Sequence, residues 1–251
     1  MKLGLTLSGG GARGIAHLGV LKALDEKNVR PDIISGTSAG ALTGSLYAYG
    51  YSPEEIFDIV VNTRILTAIK PAWSLQGLVK PESLGDILRK YIKEDDFSAL
   101  KIPLTVAATE IISGEVEYFS KGELIRPITA SCCVPMFFSP VNIGQGIYVD
   151  GGLIDNLPAA AIRDKCDRLI GVNVNPINDQ FDPKNMKMVV ERSLLIAIGE
   201  NTARSMKLCD VTIEPPQLGV FNGMDLKKAG EIFEIGYECA RQILISHSFF
   251  S

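Results

Sequence analysis

The run Gly36-Thr37-Ser38-Ala39-Gly40 constrains this chain more than any other, because of what flanks it. Before it, Pro31-Asp32-Ile33-Ile34-Ser35 reads as a buried strand, an apolar pair bounded by Pro and Gly. After it, residues 38–49 read as a helix. A serine on so sharp a strand-to-helix turn must adopt a strained backbone, so the positions around it need to be glycine. The turn lifts the hydroxyl out of the sheet and sets it at a helix N-terminus. There the free N–H groups and the helix dipole favour developing negative charge. Ser38 is equally able to serve as a plain helix cap, so other parts of the chain must decide its role.

The surroundings extend the pattern to β-α-β-α. Residues Lys2 to Ser8 form a short β-rich run that ends in glycines, and Leu18, Val20, Leu21 and Leu24 then fall at helical spacing between Ala12 and Lys27. Such a start favours an α/β fold with a parallel sheet covered by helices. Ser52-Pro53-Glu54-Glu55 has Pro at the first helical position and acids in the first turn, so it predicts a helix start. A further helix is expected over Pro81 to Lys93, and a hairpin over Leu104 to Ile112 and Glu115 to Phe119 around Ser113-Gly114. Strands are expected at Gly146 to Val149, Arg168 to Val174 and Val211 to Ile213, and long helices at Met186 to Leu208 and Leu226 to Ser246. With no repeat, low-complexity tract or linker in view, one domain over 1–251 is the economical expectation.

Composition removes several function classes. A 46% hydrophobic content supplies a large core. A net charge of −4, without a long Lys/Arg block, argues against nucleic-acid binding. Cys132, Cys133, Cys166, Cys209 and Cys239 are odd in number and lack CxxC spacing, so they read as reduced, mostly buried thiols of a cytoplasmic protein. No metal-ligand cluster or Ca²⁺ loop pattern appears, and no cofactor is expected. The N-terminal apolar run is too short for a signal peptide. Residues Pro127 to Val149 carry no charge, but prolines, glycines, Asn142 and Gln145 interrupt them, which predicts a buried segment rather than a membrane span.

Two further motifs bear on Ser38. Ser8-Gly9-Gly10-Gly11-Ala12-Arg13-Gly14 follows the first strand, and three glycines there leave backbone N–H groups able to point at one anion. The same letters satisfy GxGxxG, but a dinucleotide site wants an acid at the end of the second strand, and Asp32 stands at its start. As for a base, the chain has two histidines. His17 shares a helical face with Val20, Leu21 and Leu24 and reads as a packed core histidine; His247 lies near the end of the chain but satisfies a Ser…Asp…His order. The carboxylate candidate is Asp150, in Val149-Asp150-Gly151-Gly152 at a strand end, followed by Asp155-Asn156-Leu157-Pro158. Alone it would read as a turn residue.

Together the GGGARG, GTSAG and DGG motifs resemble the patatin-like phospholipase family, as do the segments 14–21, 130–140 and 155–158. The resemblance covers residues 3–175 at motif level. It implies a three-layer α/β/α sandwich with a central, mostly parallel sheet, and a Ser38–Asp150 dyad in place of a triad. It also implies an oxyanion hole from Gly10 and Gly11, joined by Gly9 or the Arg13 amide. The activity implied is serine acyl-ester hydrolysis on a lipid or other acyl ester.

The alternatives are an esterase with a histidine base and a nucleotide- or lipid-binding regulatory domain. The apolar stretch from Arg64 to Lys80, bracketed by Arg64, Lys70 and Lys80, offers an acyl entrance or peripheral membrane contact, although core packing is the favoured reading. Phe137 and Phe138 are read in the same way, as core before acyl pocket.

Overall fold

A computed structural model describes residues 1–63, 82–135, 138–177, 182–183, 186–221, 223 and 226–246. One eight-stranded mixed sheet organises them. Its strands are β1 (Leu3–Leu7), β2 (Ile33–Thr37), β3 (Leu104–Glu110), β4 (Glu115–Phe119), β5 (Val141–Ile143), β6 (Gly146–Asp150), β7 (Arg168–Val172) and β8 (Val211–Ile213). The order is β5-β6-β3-β2-β1-β7-β8, with β4 also pairing β3. From β3 to β8 every pairing is parallel; β4, β5 and β6 add antiparallel pairings at one end.

The two faces of the sheet are dressed unequally, and the strand alternation explains why. Leu5 and Leu7 of β1, Ile34 of β2, and Ile170 and Val172 of β7 enter the main apolar cluster. That cluster includes side chains from α1 (Ala16–Glu26), α2 (Ala39–Tyr49), α3 (Pro53–Asn62), α4 (Glu82–Tyr91), α5 (Ile125–Ser131) and α7 (Ala229–Ser246). The alternate positions Ile33 and Leu169 face a thinner layer with Ala159 and Ile162. Polar alternates on that face bond to the same layer: Ser35 Oγ donates to Pro158 O at 2.8 Å, and Thr37 Oγ1 to Asp155 O at 2.8 Å. Helix α6 (Met186–Met206) joins this side through Ser205, whose Oγ donates to Asp155 Oδ1 at 3.3 Å. The result is an α/β/α sandwich.

Most of the expected elements appear, and the differences are instructive. The first helix does not begin at Ala12: residues Gly11–Ile15 form a 3₁₀ turn, in which Ala12 N donates to Gly223 O and Arg13 N to Gly10 O. The uncharged segment 127–149 divides into the end of α5, then β5 and β6, neither α5 nor β5 being expected from the sequence. Among the described residues no helix is long and apolar enough to cross a membrane. The cysteines are all free, but only Cys133 is buried; the other four are half-buried, which corrects the expectation of mostly buried thiols. Cys166 and Cys209, for instance, lie at the margin of the thin layer.

Candidate active site

Register brings Ser38 and Asp150 to the same level of the sheet. Thr37, the last residue of β2, pairs Ala107 of β3, while Asp150, the last of β6, pairs the adjacent Ala108. Ser38 and Asp150 therefore leave strands on either side of β3, about 10 Å apart across two strand spacings. Their side chains approach each other across the gap, where the Ser38 hydroxyl stabilises the Asp150 carboxylate and lowers its pKa.

Ser38 has φ 53° and ψ −121°, in the left-handed half of backbone space that L-residues avoid. The surrounding chain holds it there. A Cβ at Gly36 would lie 2.6 Å from the Gly40 carbonyl carbon, and one at Gly40 would lie 2.3 Å from Leu7 O. The glycines thus let the turn fold on itself and let α2 press against the end of β1. Ser38 N donates to Ser131 Oγ at 2.8 Å, and that hydroxyl donates to Ala107 O at 2.6 Å. Ser131 thereby ties the turn to α5 and β3.

Asp150 is 7% exposed. Burial is the largest influence on it and raises its pKa, against the hydrogen bonds from Ser38 and Gly152, to about 6. Its Oδ1 accepts from Gly152 N at 2.8 Å, the Asx-type turn that fixes the carboxylate's direction. Such a group is ionised at neutral pH yet basic enough to take a proton.

The glycine loop lies on the other side of Ser38, after β1. A Cβ at Gly9 would sit 3.2 Å from Ser38 Cβ, so the loop backbone lies directly against the serine. Its amides are not equivalent. Gly9 N donates to Asn156 O at 3.0 Å and Arg13 N to Gly10 O at 3.2 Å, so both are engaged. Gly10 and Gly11 N–H groups donate to nothing among the described residues. Gly11 has φ +57°, and a Cβ there would lie 2.4 Å from Gly223 O, so only glycine fits.

His17 is fully buried, and its Nε2 lies 2.8 Å from Ser8 O. A carbonyl only accepts, so Nε2 carries the proton. Burial lowers the pKa of His17 to about 4 despite that bond. It braces the loop as a neutral ring. His247, Phe137 and the stretch 64–81 lie outside the described residues. Phe138 is buried with Ala108, Ala130, Cys133, Val141 and Tyr148, which makes it core. Asp32 accepts from Leu3 N at 2.7 Å, at the amino end of the strands, away from the glycine loop.

Several polar residues to which the sequence assigned no individual role hold this arrangement. Asn156 Nδ2 donates to Thr202 Oγ1 at 3.1 Å, and Asn156 N to Asn201 Oδ1 at 3.1 Å. Asp155 Oδ2 accepts from Tyr118 Oη at 2.7 Å. Their signal was slight: polar letters in apolar company, with partners far along the chain.

The geometry thus presents one class of site: a strained serine beside a buried carboxylate, flanked by a glycine loop on an α/β/α sheet. Comparison with known proteins then narrows the class. The patatin-like phospholipase model matches residues 5–162, and the chain belongs to that family. An uncharacterised NTE family protein of Mycobacterium bovis is 33% identical over 177 residues, which are 69% of this chain and 49% of that protein. A protein named lysophospholipase NTE1, from Saccharomyces cerevisiae, is 26% identical over 276 residues, covering 96% of this chain and 16% of that one. The chain thus spans about half the length of the mycobacterial relative and a smaller share of the yeast one. Among solved structures, VipD from Legionella pneumophila shares the fold with a TM-score of 0.58 at 17% identity, covering 98% of this chain and 67% of that one. The type III effector protein ExoU does so at 0.52 and 15%, covering 97% and 53%.

Proposed function

We propose that this chain hydrolyses lipid acyl esters through a Ser38–Asp150 dyad, with a phospholipid or lysophospholipid as substrate class. The observation that carries the reading is a strained Ser38 whose hydroxyl acts on a buried Asp150, which burial raises to a pKa of about 6. Asp150 takes the hydroxyl proton as Ser38 Oγ attacks the ester carbonyl. The carbonyl oxygen gains the charge and is met by the Gly10 and Gly11 N–H groups. The proton then passes to the departing alcohol, leaving acyl-Ser38. Water, deprotonated by Asp150, cleaves that ester, and the proton returns to Ser38. With a carboxylate rather than an imidazole as base, more of the acceleration falls to the oxyanion donors, each worth about 3–4 kcal/mol.

Membership of the family supports a lipid substrate, and the yeast relative's name supports lysophospholipids in particular. Exposed apolar residues just past the Asp150 turn, Leu153 and Ile154, suit contact with a lipid surface. A fluorophosphonate probe should label the wild type, with Ser38→Ala unlabelled and Asp150→Asn labelled far more slowly. Undiminished labelling of Ser38→Ala would falsify the reading.

A further inference from the structure

The Gly9–Gly10 peptide is the part of the site whose orientation its own residues leave open. Neither carries a Cβ, so the plane is free to turn. Its orientation decides whether Ser38 faces an N–H donor or a carbonyl oxygen. Two side chains hold it. Asn175 Nδ2 donates to Gly9 O at 2.6 Å, and Ser8 Oγ donates to the same oxygen at 2.9 Å. The Ser8 hydroxyl is itself held, accepting from Val174 N at 3.1 Å.

Sheet order then sets the direction. Ser38 follows β2, Gly9 follows β1 and Asn175 lies just beyond β7, and the three strands are adjacent in the order β2-β1-β7. Asn175 and Ser38 therefore flank Gly9 from opposite sides. The Gly9–Gly10 peptide is trans, so the Gly9 oxygen and Gly10 N–H point opposite ways in one plane. With the oxygen drawn to Asn175, the Gly10 N–H is turned to the side of Ser38.

We propose that Asn175 is a positioning residue for the oxyanion hole: its amide locks the Gly9–Gly10 peptide so that Gly10 N–H faces the reacting carbonyl. This rests on the hydrolase reading above. Asn175 is only 9% exposed, and its Oδ1 accepts nothing among the described residues. A buried amide with half its capacity unused is retained for its donor, and that donor goes to one carbonyl. Asn175 N is fixed separately by Asn173 Oδ1 at 3.2 Å, which holds the side chain's base in register.

The test is steady-state kinetics on a monomeric p-nitrophenyl ester for the wild type, Asn175→Ala and Asn175→Asp, per molecule folded by circular dichroism. Asn175→Asp keeps the shape and, once ionised, lacks the donor, so it serves even where Asn175→Ala folds poorly. Loss of a single oxyanion donor costs about 10²–10³ in kcat, so loss of its alignment should cost about 10- to 100-fold. KM should stay within about twofold, because the donor acts on charge that develops only in the transition state. The rise in rate through about pH 6 should keep its midpoint in Asn175→Ala, since Asp150 is untouched. Variants with unchanged kcat, a loss confined to KM, or a displaced midpoint overturn the inference. A wild type with neither turnover nor Ser38 labelling removes the hydrolase reading and this inference together; an active wild type with unaffected variants removes this inference alone.

Discussion

Burial lifts the Asp150 pKa from 3.8 to about 6, and that one displacement links rate and stability with opposite sign. A base must be ionised, so kcat/KM should rise about tenfold per pH unit below 6 and level off above it. His17 contributes no further limb between pH 5 and 8, because its pKa is already lowered to about 4. A pH–rate profile with a midpoint at 7 or above would assign the base elsewhere. Stability runs the other way. The folded state holds the Asp150 proton more tightly than the unfolded chain does, so this contribution is complete below pH 3.8 and is lost as pH rises through about 6. Asp150→Asn removes the buried charge. Its unfolding free energy should exceed that of the wild type by up to about 3 kcal/mol at pH 8, the gap closing near pH 4. Urea titrations at the two pH values check this, and a gap independent of pH would contradict it.

Helix α5 shows why some elements were legible in the sequence and others were not. Helix α3 announces itself locally: Ser52 Oγ accepts from Glu55 N at 3.2 Å, and Glu55 Oε2 accepts from Ser52 N at 2.8 Å, a capping box written in four consecutive residues. The β3–β4 hairpin is similarly local, turning through Gly114 at φ 72°. Helix α5 has no such signal. Its N-terminal amides, Leu124 N and Ile125 N, are received by Asp95 Oδ1 at 3.0 and 2.7 Å, from 29 and 30 residues away. No window around Leu124 contains the cap. Strand β5 is three residues long and exists because β6 pairs with it. The prediction at this scale is that Asp95→Ala destabilises the protein by about 1–2 kcal/mol, with Asp95→Asn closer to wild type because the amide oxygen still accepts. Denaturant midpoints for the two variants decide it; equal losses would mean the charge, not the cap, is what matters. Since α5 ends at Ser131, whose hydroxyl receives Ser38 N, the alanine variant should also label more slowly with the probe.

Across the whole molecule, the site was legible where chemistry or crowding restricts the residue type. Only glycine fits at Gly11, Gly36 and Gly40, and only a few side chains can act as nucleophile or base, so those positions form a readable pattern. The bracing roles of Ser131, Asn156 and Asn175 were unreadable because any well-placed polar group would serve, and the groups they meet lie 24 to 166 residues away. The sheet gathers these parts in the order β6-β3-β2-β1-β7: the proposed base, a spacer, the proposed nucleophile, the glycine loop and its proposed brace. The same end of the molecule carries exposed apolar side chains. Leu153 and Ile154 follow Asp150, and Asn201 of α6 donates to the Gly152 and Leu153 carbonyls at 3.3 and 3.5 Å. That ties the turn to a helix on which Met186 is 74% and Ile196 56% exposed. Leaving these groups in water is unfavourable by about 25 cal/mol per Å² of apolar surface. Contact with a lipid aggregate would relieve that cost at the place where an ester must enter. The Ile154→Asp/Ile196→Asp variant should therefore lose about tenfold in turnover of lysophospholipid micelles while hydrolysing a monomeric short-chain ester at the wild-type rate. Equal losses on both substrates would place the damage in the site itself, and no loss on either would leave this surface without a part in lipid capture.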